Sequence, residues 1–325
     1  MLCYFPKSKK DTKGAKQVFR DLGDIPPEFM GAYVTIGNFD GVHRGHIPIF
    51  QKLTREAHRE KRNAIVITFD PHPKKVLRPE IKPFYLITTI EEKISLIEEQ
   101  GIDAMVIIPF SLEFSKITAE EFVRETLWDK LRIKKIFIGH DYTFGKNREG
   151  NENFLKVFGK KLGFEVAVIK AFRIGDKTVS STKLRLAILD GDVGTAATLH
   201  GRPNNVSGIV VHGKSRGSHL GFPTANLKPD KVLIPARGVY AVMVHHNESQ
   251  YQGVLNIGFN PTFSDNDLTI EVFLFDFSGN IYGENLNILF IDRIRDEIKF
   301  DGPEKLIEQI KQDTNQAKAI LKSYS

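Results

Sequence analysis

The sequence predicts two domains of different class: an N-terminal α/β domain on a parallel sheet, then a small antiparallel β-barrel with a C-terminal helix. Three observations predict it. The chain has 325 residues, about two domains at roughly 100–200 residues each. Five short apolar runs in the first half start about 30–40 residues apart with helical patterns between them, the spacing of βαβ units. Past residue 200 the runs crowd together, separated by Gly- and Asn-rich turns, as in a small barrel.

The runs of the first half are 33–37 (YVTIG), 64–69 (AIVITF), 104–110 (AMVIIPF), 135–139 (KIFIG) and 166–169 (VAVI). Continuous apolar strands need cover on both faces. Ile49, Phe50, Leu53 and Ala57 recur at helical intervals, and Phe122, Leu127 and Leu131 do so more loosely. In the second half the strands are expected at 206–213, 238–246, 251–258, 268–277 and 286–294, with a hairpin turn at 247–250 and a loop at 276–283. Ile270, Val272 and Leu274 alternate with Glu271, Phe273 and Phe275, which predicts a two-faced strand. Asp301, Pro303 and Glu304 start a C-terminal helix with Leu306, Ile310, Ala317 and Leu321 on one stripe. The expected division is a flexible basic tail at 1–20, one domain at 21–186 and another at 187–325.

Composition narrows the function classes. With 41% hydrophobic and 26% charged residues the chain is an ordinary globular protein, not a disordered one. The net charge is +6 and the pI about 9.1, but the excess sits in the tail. Residues 1–20 hold six Lys/Arg and one acid, and the remainder is nearly balanced at 40 basic against 39 acidic residues. A near-neutral body argues against nucleic acid as partner. The longest apolar runs are strand-sized, which argues against a membrane span. A single cysteine, Cys3, excludes an internal disulfide and a Cys-based zinc site. With charge where a signal peptide needs its apolar core, the expected compartment is the cytoplasm.

Ligands of parallel sheets bind at the carboxyl ends of the strands, and that is where the polar motifs fall. After the first strand comes GNFDGVHRGH (37–46). Its glycines permit tight turns and close approach of backbone to a ligand. His43 and His46 stand where a helix begins, so imidazoles and free backbone N–H groups are expected to face one spot, suited to a phosphate. An isolated H-x-G-H is more often a glycine turn with surface histidines, and the pair lacks the further ligands zinc needs. TFDPHP (68–73), GHDYTFG (139–145) and SSTKLR (180–185) complete a constellation at successive strand ends. No P-loop and no G-x-G-x-x-G fingerprint is present. In the second half GKSRGSHLGFPTANL (213–227) carries Gly213, Gly217 and Gly221 four residues apart, a basic loop able to close over phosphates. Thr224 and Asn226 are hard oxygen ligands that point the same way if the segment is extended, and they suit Mg²⁺ beside ATP.

The motifs GNFDGVHRGH, TFDPHP, GHDYTFGKNREG and SSTKLR, in that order over about residues 30–185, resemble the adenylyltransferase half of bacterial bifunctional riboflavin kinase/FAD synthetases. Those are Rossmann-like H-x-G-H nucleotidyltransferases. The resemblance implies that His43 and His46 contact the ATP phosphates. It also implies that Gly37, Asn38, Phe39, Asp40 and Gly45 bind ATP, while Ser181, Thr182 and Arg185 stabilise the leaving pyrophosphate. Asp70, His72, Pro73, Asp141 and Phe144 would shape the flavin and nucleotide pocket. Departures from the pattern are Lys183 for Arg, Tyr142 for Phe and Asn151 for Asp; Lys183 keeps the charge without the planar fork.

GIVVHGKSRGSHLGFPTANL, GVYAV, GVLNIGFNPTF, IEVFLFDFSGNIYG and RDEIKF, over about 187–321, resemble riboflavin kinase domains. Here the resemblance implies that Gly213, Lys214, Arg216, Gly221, Phe222 and Pro223 bind ATP. It implies further that Thr224 and Asn226 hold the metal, and that Glu271 accepts the proton of riboflavin's terminal ribityl hydroxyl. Phe273 stands where that family often has His and is given no catalytic role. The expected function is therefore ATP-dependent phosphorylation of riboflavin to FMN and adenylylation of FMN to FAD, with Mg²⁺ as cofactor. The alternatives are a monofunctional enzyme with one active half and a non-catalytic flavin-sensing regulator. The tail is expected to be dispensable for both reactions.

Overall fold

The computed structural model describes residues 17–213, 222–259 and 268–324. They fall into two compact units, one ending at Ser181 and the other running from Thr182.

The first unit is built on a six-stranded sheet in the order β1-β4-β3-β2-β5-β6 with every neighbour parallel. The strands are β1 (Gln17–Phe19), β2 (Tyr33–Ile36), β3 (Ala64–Phe69), β4 (Ala104–Ile108), β5 (Lys135–Gly139) and β6 (Glu165–Ile169). Successive side chains enter opposite layers. Val34, Ile36, Ile65, Ile67, Val106 and Ile136 pack with Phe122, Val123, Leu127 and Leu155, whereas Tyr33, Val66, Met105 and Phe137 pack with Ile49, Phe50, Leu53 and Ala57. This two-sided burial is why the strands read as unbroken apolar runs. Helices α1 (Ile47–Arg59) and α3 (Ile90–Glu98) belong to the second layer, and α5 (Glu152–Leu162) to the first. The short α2 covers Pro73–Leu77. Asn151 caps α5 by accepting the Phe154 N–H at 3.1 Å, the role an Asp would play there. The loose spacing near residue 122 also has a structural cause. A turn of α-helix, α4 (Ala119–Glu121), runs into a π-helix over Phe122–Asp129, so Phe122 and Leu127, five apart, share a face.

One expectation fails at the end of the tail. Gln17–Phe19 is the edge strand β1, in parallel register with Ala104–Val106, and the Phe19 ring meets Phe29 edge-on at 5.5 Å. Three residues give too short a pattern to separate a strand from a tail rich in lysine. Removal of residues 1–20 therefore removes sheet structure, and Phe19→Ala, at a half-buried ring, is expected to cost about 1–2 kcal/mol in a denaturant melt, less than a fully buried Phe.

The second unit begins with α6 (Ser181–Leu189, shared with the end of the first) and α7 (Val193–His200). Six strands then close an antiparallel barrel in the order β10-β13-β12-β11-β14-β9. They are β9 (Asn204–Val211), β10 (Ala225–Pro229), β11 (Gly238–His246), β12 (Ser249–Phe259), β13 (Leu268–Leu274) and β14 (Asn285–Arg295). A strand pair too short to reveal itself in the sequence, β7 (Arg173–Ile174) and β8 (Lys177–Thr178), belongs to the first unit. Strand β10, with the sequence ANLKP, is not among the apolar runs expected as strands. The hairpin between β11 and β12 turns on Asn247, at φ 52°. Ile270, Val272 and Leu274 face the barrel interior with Val242, Leu255 and Phe290. Val239, Ala241 and Met243 point the other way, against Ala317 and Leu321 of α8 (Pro303–Leu321). Strand β11 is therefore buried on both faces.

The apolar stripe of α8 holds one charge. Asp313 is 4% exposed and takes a bidentate ion pair from Arg295 on β14, with Nε–Oδ1 2.9 Å and Nη2–Oδ2 2.7 Å. Asp313→Ala leaves Arg295 beside apolar residues without its partner, and should destabilise the barrel by about 3 kcal/mol. A urea melt checks this.

Candidate active sites

In the first unit the carboxyl end of β2 enters a turn with left-handed backbone at Phe39 (φ 46°), Gly41 (φ 86°) and Val42 (φ 41°). Such conformations in bulky residues are costly and mark a constrained site. The Phe39 ring lies over Gly37, where a Cβ would come within 2.9 Å of it. The His43 imidazole lies over Gly45 in the same way, also at 2.9 Å.

His43 is 3% exposed. Its Nδ1 accepts the Gly45 N–H at 3.1 Å, and its Nε2 lies 3.1 Å from Ser181 Oγ. The Ser181 hydroxyl donates to the Asp40 carbonyl at 2.9 Å, so Oγ is left to accept the proton on Nε2. His46 stacks on His43 with ring centroids 3.7 Å apart and meets Phe39 edge-on. Burial, with the His43 and Lys93 charges behind it, holds His46 well below the usual histidine range, so its ring is neutral at pH 7. Its buried Nδ1 has no hydrogen-bond partner among the described residues.

This geometry corrects one expectation. The backbone N–H groups at the start of α1 are not free, since Gly45 donates to His43 Nδ1 and both His46 and Ile47 donate to the His43 carbonyl. The turn folds back on His43 before the helix begins.

Asp40 is 2% exposed and its Oδ1 accepts the N–H groups of Ile87 and Thr88 at 3.0 and 3.4 Å. Asn38 is exposed, with its carbonyl accepting Thr68 Oγ1. Beyond β3, Asp70 is half-buried, and His72 caps α2 by accepting the Lys74 N–H while its ring lies 5.0 Å from Phe84. Pro73 is the first residue of that helix. Beyond β5, Asp141 is exposed and Phe144 is buried against Gly150. Tyr142 stacks on Phe144 at 5.5 Å, and burial raises its phenol above the ordinary range. His43, His46, Asp40, Gly45 and Ser181 thus meet directly, Phe39 adjoins them through His46, and the other candidates follow the ends of neighbouring strands. Thr182 and Arg185 continue α6 in the second unit.

Sequence reasoning missed Lys93 of α3, which is 4% exposed. The signal was a lysine one turn before Ile97 on the buried face of an amphipathic helix.

In the second unit, cross-strand register builds the site. Asn226 on β10 stands opposite Glu271 on β13, and Glu271 stands opposite Asn256 on β12. Directly opposed residues share a face, so the three form one row on the outside of the barrel. The Asn226 carboxamide lies against Gly213, where a Cβ would fall 2.1 Å from Nδ2; only glycine fits there. Thr224 and Asn226 are half-buried, Pro223 is exposed, and Phe222 meets Phe273 edge-on at 5.5 Å. Phe273 therefore serves packing. Lys214, Arg216 and Gly221 lie outside the described residues. Asn256 was missed because only pairing across strands brings it beside Glu271. Glu297 was missed too; its Oε1 would sit 2.5 Å from a Cβ at Gly258, two residues along the same face.

Comparison with known proteins follows the same division. A family model described as FAD synthetase matches residues 25–183, and one described as riboflavin kinase matches residues 200–321. A bifunctional riboflavin kinase/FMN adenylyltransferase of Haemophilus influenzae is 35% identical over 308 residues, covering 94% of this chain and 100% of its own. The chain belongs to the bifunctional riboflavin kinase/FMN adenylyltransferase family. The Escherichia coli K12 member is 36% identical over 294 residues, covering 90% of this chain and 93% of its own. A crystal structure from Streptococcus pneumoniae, described as a macrolide-efflux protein, has a TM-score of 0.84 at 35% identity and covers 91% of this chain and 96% of its own. Among the described residues no helix is long and apolar enough to cross a membrane. The family's two halves thus correspond to the parallel sheet and the closed barrel.

Proposed function

We propose that this chain phosphorylates riboflavin to FMN in its barrel unit and adenylylates FMN to FAD in its parallel-sheet unit, both from ATP. What carries the reading is that each motif set is drawn into one place: Ser181 reaches His43 across 138 positions of sequence, and Glu271 stands between Asn226 and Asn256.

In the barrel, the terminal ribityl hydroxyl attacks the γ-phosphorus of ATP, the bond to the β,γ-bridging oxygen breaks and ADP leaves. Glu271 orients that hydroxyl and takes its proton, and Gly213, Phe222 and Pro223 belong to the ATP-binding side. Thr224 and Asn226 fit a magnesium ion: both offer neutral hard oxygens, and the close approach of Gly213 fixes the Asn226 carboxamide. Among the described residues no three His, Cys, Asp or Glu side chains group around a metal position. When bound, the magnesium ion neutralises charge on the triphosphate.

In the sheet unit, the FMN phosphate attacks the α-phosphorus of ATP and pyrophosphate leaves. A phosphate is already a nucleophile, so no covalent enzyme intermediate is needed. The chain positions and neutralises. His46 presents a neutral imidazole to a phosphate oxygen, and His43 is held in one tautomer by Gly45 and Ser181. Ser181, Thr182 and Arg185 take the leaving pyrophosphate. Gly37, Asn38, Phe39, Asp40 and Gly45 bind the ATP, and Asp70, His72, Pro73, Asp141 and Phe144 shape the flavin and nucleotide pocket.

We place the enzyme in the cytoplasm, where ATP is supplied, with small molecules and not nucleic acid as its partners. Incubation of the protein with riboflavin and Mg·ATP should yield FMN and then FAD, and chelation of the metal with EDTA should stop both. Formation of only one product would leave a monofunctional enzyme, and formation of neither would favour a flavin-binding regulator.

A further inference from the structure

Helix α3 begins at the carboxyl edge of the sheet, because it follows β3 and precedes β4 in a parallel arrangement. Its start is fixed to the glycine-rich turn. Asp40 holds the N–H groups of Ile87 and Thr88, and Thr89 then caps the helix in a reciprocal pair with Glu92. Lys93 follows in the first turn. Its side chain is 4% exposed, yet it makes no hydrogen bond and no ion pair with any described residue. The charges that act on it are the carboxylates of Asp40 and Asp70, one following β2 and the other β3, while its own charge acts on His46. Placing an ammonium in so enclosed a position is costly, and burial pushes its proton affinity down.

The histidine pair does not supply positive charge for a phosphate. His46 is neutral, and both ring nitrogens of His43 are engaged with Gly45 and Ser181. Asp40 and Asp70 would repel an anion. Lys93 is the buried cation at this strand edge.

We propose that Lys93 binds a phosphate group of the adenylyltransferase substrates. The assignment rests on the adenylyltransferase reading of this unit. The anion could come from the polyphosphate of the nucleotide or from the phosphate of FMN; both offer the same charged oxygens, and the test separates them.

Lys93→Met removes the charge and keeps most of the aliphatic stem. Calorimetric titration with inorganic pyrophosphate and, separately, with FMN reads binding without turnover. For a nucleotide contact the variant should bind pyrophosphate at least about tenfold more weakly and FMN as wild type does; for a flavin phosphate contact the pattern reverses. FAD formation from FMN should fall by about 10²–10³, as for loss of one preorganised phosphate contact, while riboflavin phosphorylation by the barrel stays at the wild-type rate. Without ligand the variant should melt no lower than wild type, because an unpaired buried charge has been removed. Lys93→Arg, which keeps the charge, should retain part of the lost binding. Unchanged binding of both probes by Lys93→Met would overturn the assignment. So would a lowered melting temperature with equal loss of binding in the Arg variant, the mark of a purely structural lysine. A wild-type protein that makes no FAD would instead count against the adenylyltransferase reading, and the pyrophosphate titration would still decide on Lys93.

Discussion

His46→Ala is expected to convert riboflavin to FMN at the wild-type rate and then stall, with FMN accumulating. The imidazole stacks on His43 at 3.7 Å and packs against Phe39, so it is held in place before substrate arrives. One such preorganised contact to a transferring phosphate is worth about 10²–10³ in rate. Separate assays of FMN and FAD read the effect. Ala also removes packing, so His46→Gln, which keeps an amide donor, should recover part of the lost rate. The pH dependence follows from the same burial. Folded His46 has its pKa well below the ordinary 6.5 of the unfolded chain. As pH falls through 6.5 the unfolded state takes up the proton first, so this residue's contribution to stability declines from there until the folded value is reached. Above pH 6.5 it adds no slope. A pH series of melts on wild type and His46→Gln should differ in slope only on the acid side.

Glu271→Gln is expected to abolish most riboflavin phosphorylation and to spare FAD formation from supplied FMN. The change keeps the size of the side chain and its place between Asn226 and Asn256, and takes away the proton acceptor. A positioned base contributes about 10²–10⁴, so the loss should appear in kcat with little change in the KM for ATP. A loss confined to KM would instead make Glu271 a binding residue.

Strand positions in both halves were legible because the apolar runs that define them are buried on one or two faces; the matches at Ala64–Phe69, Lys135–Gly139 and Gly238–His246 have the same bounds as the runs. What escaped the sequence was short or set by distant pairing. Strand β1 has three residues, and its partner β4 lies some 85 positions away. Strand β10 carries Asn226 and Lys228, and reads as strand only between β9 and β13. The histidine pair and Ser181 were legible as motifs, but the turn that consumes the N–H groups of residues 45–47 is a backbone property with no residue signature beyond its glycines. Asn256 and Glu297 act through neighbours supplied by other elements, so nothing in their local sequence distinguished them from surface residues, whereas Lys93 left one local trace, its place one turn before Ile97 on the buried face of its helix.

If the sheet unit and the barrel unit each perform one of two consecutive reactions, FMN made by one molecule can be used by another. The most direct measurement mixes the two variants. From riboflavin and Mg·ATP, His46→Ala alone should stop at FMN and Glu271→Gln alone should make almost nothing. An equimolar mixture should restore FAD formation to a substantial fraction of the wild-type rate, because each protein supplies the step the other lacks. A mixture of folded variants that still makes no FAD, or either variant losing both activities, would contradict the division of labour between the sheet and the barrel.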